Sequence, residues 1–456
     1  MLQTMSMSAE ILYAEAGRHM QAGNFARAEA CLCRAIDDDP GYAPAHGNLG
    51  YLLARRGQLE PAEAAYRRCL ALNPGLAEIQ LSHGAVLARL KRLEQAEAAY
   101  RCAIALRPAA PAAWSNLGAL HACMQRETEA EECHRKALAL DPAYSPARFN
   151  LSYVLLRQGR FKEGWAAFEA RNWYAPLTAQ LRCPRWHGED LAGKRVLVAY
   201  EPGHGDMIFF ARYARALKQR GAARTTLICH PALQTLFAGL KGIDHVLPIN
   251  APFDPNDFDC WTPLASLPHY NGTRTETIPA NLPYLHVAPT QILKWGAQLP
   301  AGRRVGLAWK GNPLFENDAD RSLPALQTLA PVLMVPGLNF ISLQKGAGEN
   351  EAIPPMLNLG PQLADFADTA ALIMNLDLVI SVDTAVAHLA GALGKPCWLL
   401  LPDYKTDWRW LTGRGDSPWY PGVMRLFRQP RGGGWAAVID DVAAVLARWA
   451  ATNIKD

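Results

Sequence analysis

A spacing of 34 residues runs through the first third of the chain and limits what it can fold into. Pro40, Pro74, Pro108 and Pro142 keep that step, as do Ala28, Ala62, Ala96 and Ala130, and Gly50, Gly84 and Gly118. Leu32, Tyr66 and Tyr100 stand four places after the first three of those alanines. Independent columns sharing one period mark a stacked array, because each unit solves the same packing problem again. Each unit reads as two amphipathic helices, for example 46–56 and 59–72, with small residues at the crossing and a proline closing the unit. Alone, such a pair cannot cover its apolar face, so stacking is what creates the core.

The period and its columns resemble the tetratricopeptide repeat. Four full units span roughly 9–142; a fifth, 145 to about 172, is degenerate, with Gly164 in the alanine column and Trp165 and Phe168 after it. The repeat region is therefore set at 9–175, its last unit acting as a cap. Stacks of this kind are binding surfaces and carry no chemistry. Asn48, Asn116 and Asn150 share one place in their units, with Ser82 filling the intervening one. That column resembles the asparagine ladder of the protein O-GlcNAc transferases, whose side-chain amides pair with the backbone of an extended peptide. An amide suits the task because it donates and accepts. The resemblance implies a protein partner in a peptide groove; the plainer reading is that asparagine is frequent at this repeat position.

At 456 residues the chain needs more than one core. Half its residues are hydrophobic and 19% charged, the balance of a globular protein, and a net charge of +4 with no basic stripe argues against a nucleic-acid partner. No basic segment followed by an apolar one opens the chain, and no apolar run is long enough to span a bilayer, so a cytoplasmic location is expected. The ten cysteines show no zinc spacing and read as small buried residues in a reducing compartment.

From Lys194 the texture alternates. Segments 195–200, 225–230 and 245–249 read as strands, then 305–309, 339–343, 378–382 and 397–401, with helices such as 207–220 between them. Such alternation implies parallel sheets covered by helices, and two series imply two Rossmann-like lobes, 176–290 and 291–456, joined by the connector 279–300. In open sheets of this type ligands sit at the carboxyl ends of the strands. The last helix, 435–451, is expected to pack across both lobes. The predicted fold class is α plus α/β, a helical solenoid followed by a two-lobed domain.

Three motifs fall at strand ends. Residues 381–396, SVDTAVAHLAGALGKP, run from a strand through Asp383 and Thr384 into a helix. Thr384 is a good N-cap, Ala385 opens the helix with a free N–H, and His388 lies one turn along the same face, a combination suited to phosphate oxygens. Residues 201–206, EPGHGD, place Gly203 and Gly205 in a tight turn before Asp206. Asp206 reads either as a base or as the cap of helix 207–220. Residues 309–313, WKGNP, are followed by Asp318, Asp320, Arg321 and Ser322, so that Lys310 or Arg321 is placed to neutralise an anion, and Gln344 ends another strand.

The run through Asp383, Thr384, His388 and Leu389 resembles the C-lobe signature of the lipopolysaccharide heptosyltransferases, which share the two-lobed GT-B fold; Ala385 stands where that family has glycine. The resemblance implies that this run holds the diphosphate of a nucleotide-sugar donor, that Asp206 deprotonates an acceptor hydroxyl, that a cation lies near Lys310 or Arg321, and that Gln344 meets the nucleoside. It implies an inverting glycosyltransferase with a nucleotide-sugar as substrate, no cofactor and no metal. A protein acceptor of flagellin type, recruited by the repeats, is the leading expectation. The rivals are a lipopolysaccharide or capsule intermediate as acceptor, or an inactive scaffold. Trp408, Trp410 and Trp419 read as interface packing ahead of sugar stacking.

Overall fold

A computed structural model describes residues 2–452. It divides into two compact units, Met1–Leu151 and Ser152–Asp456.

The first unit is helical throughout. Its pairs are Leu2–Gln21 with Phe25–Asp38, Ala43–Arg55 with Leu59–Leu72, Ala77–Arg89 with Leu93–Leu106, and Pro111–Cys123 with Glu127–Leu140. The glycine and aromatic columns turn out to be two halves of one contact. A Cβ on Gly50 would stand 2.8 Å from the Tyr66 ring, on Gly84 2.6 Å from Tyr100, and on Gly118 2.8 Å from His134. The bare glycine is what admits the ring, so the columns must change together. Three of the four prolines close their unit with an Asx turn, in which Asp39, Asn73 and Asp141 accept from the amides two residues on, at 2.9, 3.1 and 2.9 Å; before Pro108 the place is taken by Arg107. One further column escaped the sequence reading. Gly23, Gly57, Lys91 and Gln125, again 34 apart, all take positive φ between paired helices. Lys91 and Gln125 hold it at a cost of about 1 kcal/mol each relative to glycine.

The second unit holds two parallel sheets. The first is built from β1 (Arg195–Ala199), β2 (Arg224–Cys229), β3 (His245–Pro248) and β4 (Cys260–Pro263), in the order β3-β2-β1-β4. The second is built from β5 (Arg303–Ala308), β6 (Leu338–Ser342), β7 (Leu357–Asn358), β8 (Leu378–Val382), β9 (Cys397–Leu401) and β10 (Met424–Arg428), in the order β10-β9-β8-β5-β6-β7. β8 and β9 are buried at every position, as strands covered on both faces must be. β4, β7 and β10 are additions to the sequence reading.

Two expectations need correction. The helix expected at 207–220 begins earlier and is broken, running His204–Phe210, a 3₁₀ turn Ala211–Tyr213, then Ala214–Gln219. The last helix, Trp435–Ala451, does not lie across the lobes. Val438, Ile439, Val442, Val445 and Leu446 join the core of the second sheet with Val305, Phe340 and Leu378, and Arg303 is bonded to the carbonyl of Trp449. Its apolar stripe is fully used on one sheet. Most cysteines are buried, but Cys33 and Cys102 are exposed. Among the described residues, no helix is long and apolar enough to cross a membrane.

Candidate functional site

β8 ends at Val382, and the chain enters the helix Ala385–Ala392 through Asp383 and Thr384. Thr384 occupies the N-cap position without capping: its hydroxyl lies 3.1 Å from the Ser381 hydroxyl and makes no bond to the first turn. The amides of Ala385 and Val386 consequently have no partner among the described residues, while Ala387 and His388 bond back to the Thr384 carbonyl. Thr384, Ala385 and Val386 are half-buried, so this turn stays open. Unpaired amides at a helix start carry partial positive charge.

The loop after β1 faces that turn. The glycines there serve closeness rather than unusual backbone angles, contrary to the expected tight turn. Gly203 has φ −92°, and a Cβ on it would stand 2.4 Å from Asp206 Oδ2; a Cβ on Gly205 would stand 3.1 Å from His388 Cδ2 and 3.5 Å from Ala385 Cα. Asp206 is not the cap of its helix, since the helix starts at His204 and Gly203 holds the cap position. Its carboxylate instead pairs with Arg409, which also donates to both oxygens of Asp407 at 2.9 and 3.0 Å. Burial raises the Asp206 pKa above the ordinary value, and this outweighs the pull of Arg409.

His388 differs from expectation. Its side chain is 6% exposed, its ring stacks on Trp410 at 5.2 Å, and its Nδ1 shares a 2.9 Å hydrogen bond with the Tyr420 hydroxyl. Burial, with Arg409, Arg212 and Arg321 nearby, holds the imidazole neutral, so it supports the turn from behind and does not open onto it. Asp383 accepts from the Trp410 indole at 2.8 Å, and burial followed by repulsion from Asp407 raises its pKa to about 6.

The two expected cations separate. Lys310 is spent on Glu351, which also accepts from the Trp309 indole at 3.1 Å and the Leu326 amide at 2.9 Å. Arg321 lies 3.3 Å from Asp318 and acts electrostatically on Asp206, Asp383 and His388 alike. Asp318 is buried and already faces Arg321, and Asp320, two residues on along the same helical turn, points away from it. Gln344 is not free to meet a nucleoside. Its Oε1 accepts from the amides of Trp309 and Lys310 at 2.9 and 3.0 Å, and its Nε2 donates to the carbonyls of Lys310 and Ala347 at 3.0 and 2.7 Å. It fixes the loop after β5.

Trp408, Trp410 and Trp419 are fully buried. Trp408 and Trp419 pack edge-on to Trp165 and Phe209, the packing role expected of them. Arg409, Asp407 and Tyr420 are the site residues that sequence reasoning missed. They lie inside the tryptophan-rich run, where the density of rings was the signal and the charged residue between two of them was the point. Beside the loop after β1, His204 lies 4.6 Å from His230, which lies 5.9 Å from Tyr200. Tyr200 in turn borders a depression of ≈ 390 Å³ with Ile228, Ile249, Asn250 and Phe253. In the repeat unit, Asn48, Asn116 and Asn150 are half-buried and have no side-chain partner among the described residues, whereas Ser82 is bonded to Tyr66.

The site's turn lies within a segment, residues 346–399, that matches the glycosyltransferase family 9 (heptosyltransferase) model; residues 13–77 match a tetratricopeptide repeat model. A segment that matches the tetratricopeptide model thus precedes one that matches the family 9 model. The chain is 32% identical over 340 residues to Protein FlbA of Caulobacter vibrioides, a match taking in 67% of this chain and 55% of that protein. The chain thus spans about half the length of that curated relative. Among solved structures, MamA of Desulfovibrio magneticus RS-1 is 20% identical with a TM-score of 0.33, over 38% of this chain and 96% of that one. PilF of Pseudomonas aeruginosa is 22% identical with a TM-score of 0.34, over 37% and 76%.

Proposed function

We propose that the chain is an inverting glycosyltransferase of GT-B type that moves a sugar from a nucleotide-sugar donor to an acceptor hydroxyl. The observation that carries this reading is the open turn at Thr384–Val386, where the unpaired amides of Ala385 and Val386 lie against Gly205, the residue before Asp206. The donor diphosphate seats on those amides, and Arg321 adds the positive charge that its departure requires. Asp206 takes the acceptor proton as the C–O bond forms, when the hydroxyl has become acidic. The lobe 176–290 is read as the acceptor side, with the depression beside Tyr200 as its approach, and 291–456 as the donor side. The acceptor is read as a protein of flagellin type held by Asn48, Ser82, Asn116 and Asn150 in a repeat region spanning 9–175.

A panel of nucleotide-linked sugars offered to the purified chain tests this. Nucleotide release is expected from the unaltered chain, and Asp206→Ala should lower transfer by at least about 100-fold while leaving nucleotide binding in place. Transfer that survives the substitution removes Asp206 from the role of base. Transfer should persist in a chelator; loss there would show that a metal ion, and not Arg321 alone, neutralises the leaving group. One observation favours the scaffold reading, namely that the loop lies so close over the turn that a Cβ on Gly205 would stand 3.1 Å from His388 Cδ2. Absence of nucleotide binding across the whole panel would decide for it.

A further inference from the structure

Asp206 sits on the first sheet's loop, yet the group that holds it comes from the other lobe, 203 residues away. One oxygen of its carboxylate meets Arg409 and the other lies over bare Gly203, while the side chain stays 37% exposed. Arg409 has little freedom of its own. Its side chain is 8% exposed, its guanidinium lies 4.8 Å from the Phe209 ring centre and 4.6 Å from that of Trp408, and Asp407 grips it through both oxygens. An arginine between two carboxylates, walled by rings, is a rigid fork with no reach for an incoming anion. We propose that Arg409, clamped by Asp407, is the positioning residue that fixes both the place and the charge state of Asp206. The inference rests on the reading of Asp206 as the base.

The neighbours of Asp206 set opposite signs. Arg409 and Arg321 favour the carboxylate, whereas burial and the Asp407 charge disfavour it; Glu201 and Tyr153 also share its field. Removing Arg409 leaves the disfavouring influences, so Asp206 should hold its proton to higher pH. Removing the Asp407 charge leaves Arg409 unopposed, so Asp206 should lose its proton at lower pH. A residue that merely stabilised the fold would not produce paired shifts of opposite sign.

The test uses the full chain with ¹³C-carboxyl-labelled aspartate, the Asp206 signal being the one lost in Asp206→Asn. In Arg409→Gln its titration midpoint should rise by at least about one pH unit, in Arg409→Lys it should move less, and in Asp407→Asn it should fall by about half a unit or more. Midpoints that stay put, or that shift the same way in both charge-removing variants, overturn the proposal. If Arg409→Gln does not fold, Asp407→Asn decides alone, and an unmoved midpoint there counts against it. The acidic limb of donor turnover should follow the same midpoints. A limb that ignores a shifted midpoint removes Asp206 as the base while leaving the clamp intact, so the two readings fail separately.

Discussion

In the repeat stack, Glu97 lies 2.9 Å from Arg126 and Glu63 lies 3.8 Å from Arg92, the same offset of 29 residues each time. In the two-sheet unit, Arg171 lies 3.7 Å from Glu201, and Arg409 pairs with Asp206 across most of the domain's length. The stack's arginines remain in part solvated, at 33% exposure for Arg126, whereas the side chains of Arg171 and Glu201 are 0% and 1% exposed. One region reuses a local, solvent-screened pairing; the other buries the Arg171–Glu201 pair whole and the Arg409 end of the other, with Asp206 37% exposed, and nothing local specifies either. Buried charges depend on their partners far more than solvated ones do, because a lone charge cannot be rehydrated.

The largest effect should therefore come from breaking a buried pair. Arg171 also donates to the Ser266 hydroxyl at 2.6 Å, and Glu201 accepts from the Trp173 indole at 2.7 Å and the Ala265 amide at 2.9 Å. Arg171→Met leaves that carboxylate without its cation and should cost about 3–5 kcal/mol, read from urea unfolding followed by hydrogen exchange in β1 and β4. Arg171→Met with Glu201→Gln should recover much of the loss. A double variant as unstable as the single one would mean that packing, not charge, holds this corner together.

The stack has its own buried polar group, and it marks where the repeat breaks its own rule. His134 fills the column held by Tyr66 and Tyr100, is 0% exposed, and has no partner for either ring nitrogen among the described residues. Burial lowers its pKa to about 4. The unfolded chain binds the proton from about 6.5 downward, so the stabilisation is whole above that pH and is lost as the pH falls toward 4, up to about 3 kcal/mol. His134→Tyr should flatten the stability of this unit between about pH 6.5 and pH 4. An unchanged pH dependence would place the acid-sensitive group elsewhere, with His121 and His83, both also lowered by burial, next in line.

The same contrast explains what was legible in the sequence. The stack could be read because each contact recurs at a fixed step, so Gly84 and Tyr100 announce themselves through Gly50 and Tyr66. Strands β1, β5, β8 and β9 could be read because burial on both faces demands unbroken apolar runs. The turn at Thr384 was legible as a local strand-to-helix junction. Arg409 was not, because its partner Asp206 shares no spacing with it, and a long-range ion pair leaves no periodic trace. Lys310 and Gln344 were misread for the converse reason. Their positions at strand ends were visible, but Glu351 and the loop carbonyls that occupy them come from segments without a motif.

The smallest effect should come from the ladder itself. Glu97 is 16% exposed and lies 2.7 Å from Arg101 on its own helix as well as 2.9 Å from Arg126 in the next unit. Burial opposes its ionisation, but Arg101, His121 and Arg126 together hold its pKa below the ordinary carboxylate range. Both arginines keep access to water, so Glu97→Gln should cost no more than about 1 kcal/mol, seen as faster hydrogen exchange in Leu93–Leu106. Because the pair is screened, the difference should nearly vanish at about 1 M salt, where the Debye length falls to about 3 Å. A penalty that persists at high salt, or that reaches the size expected for Arg171, would show that the stack also relies on desolvated charge and would erase the distinction between the two regions.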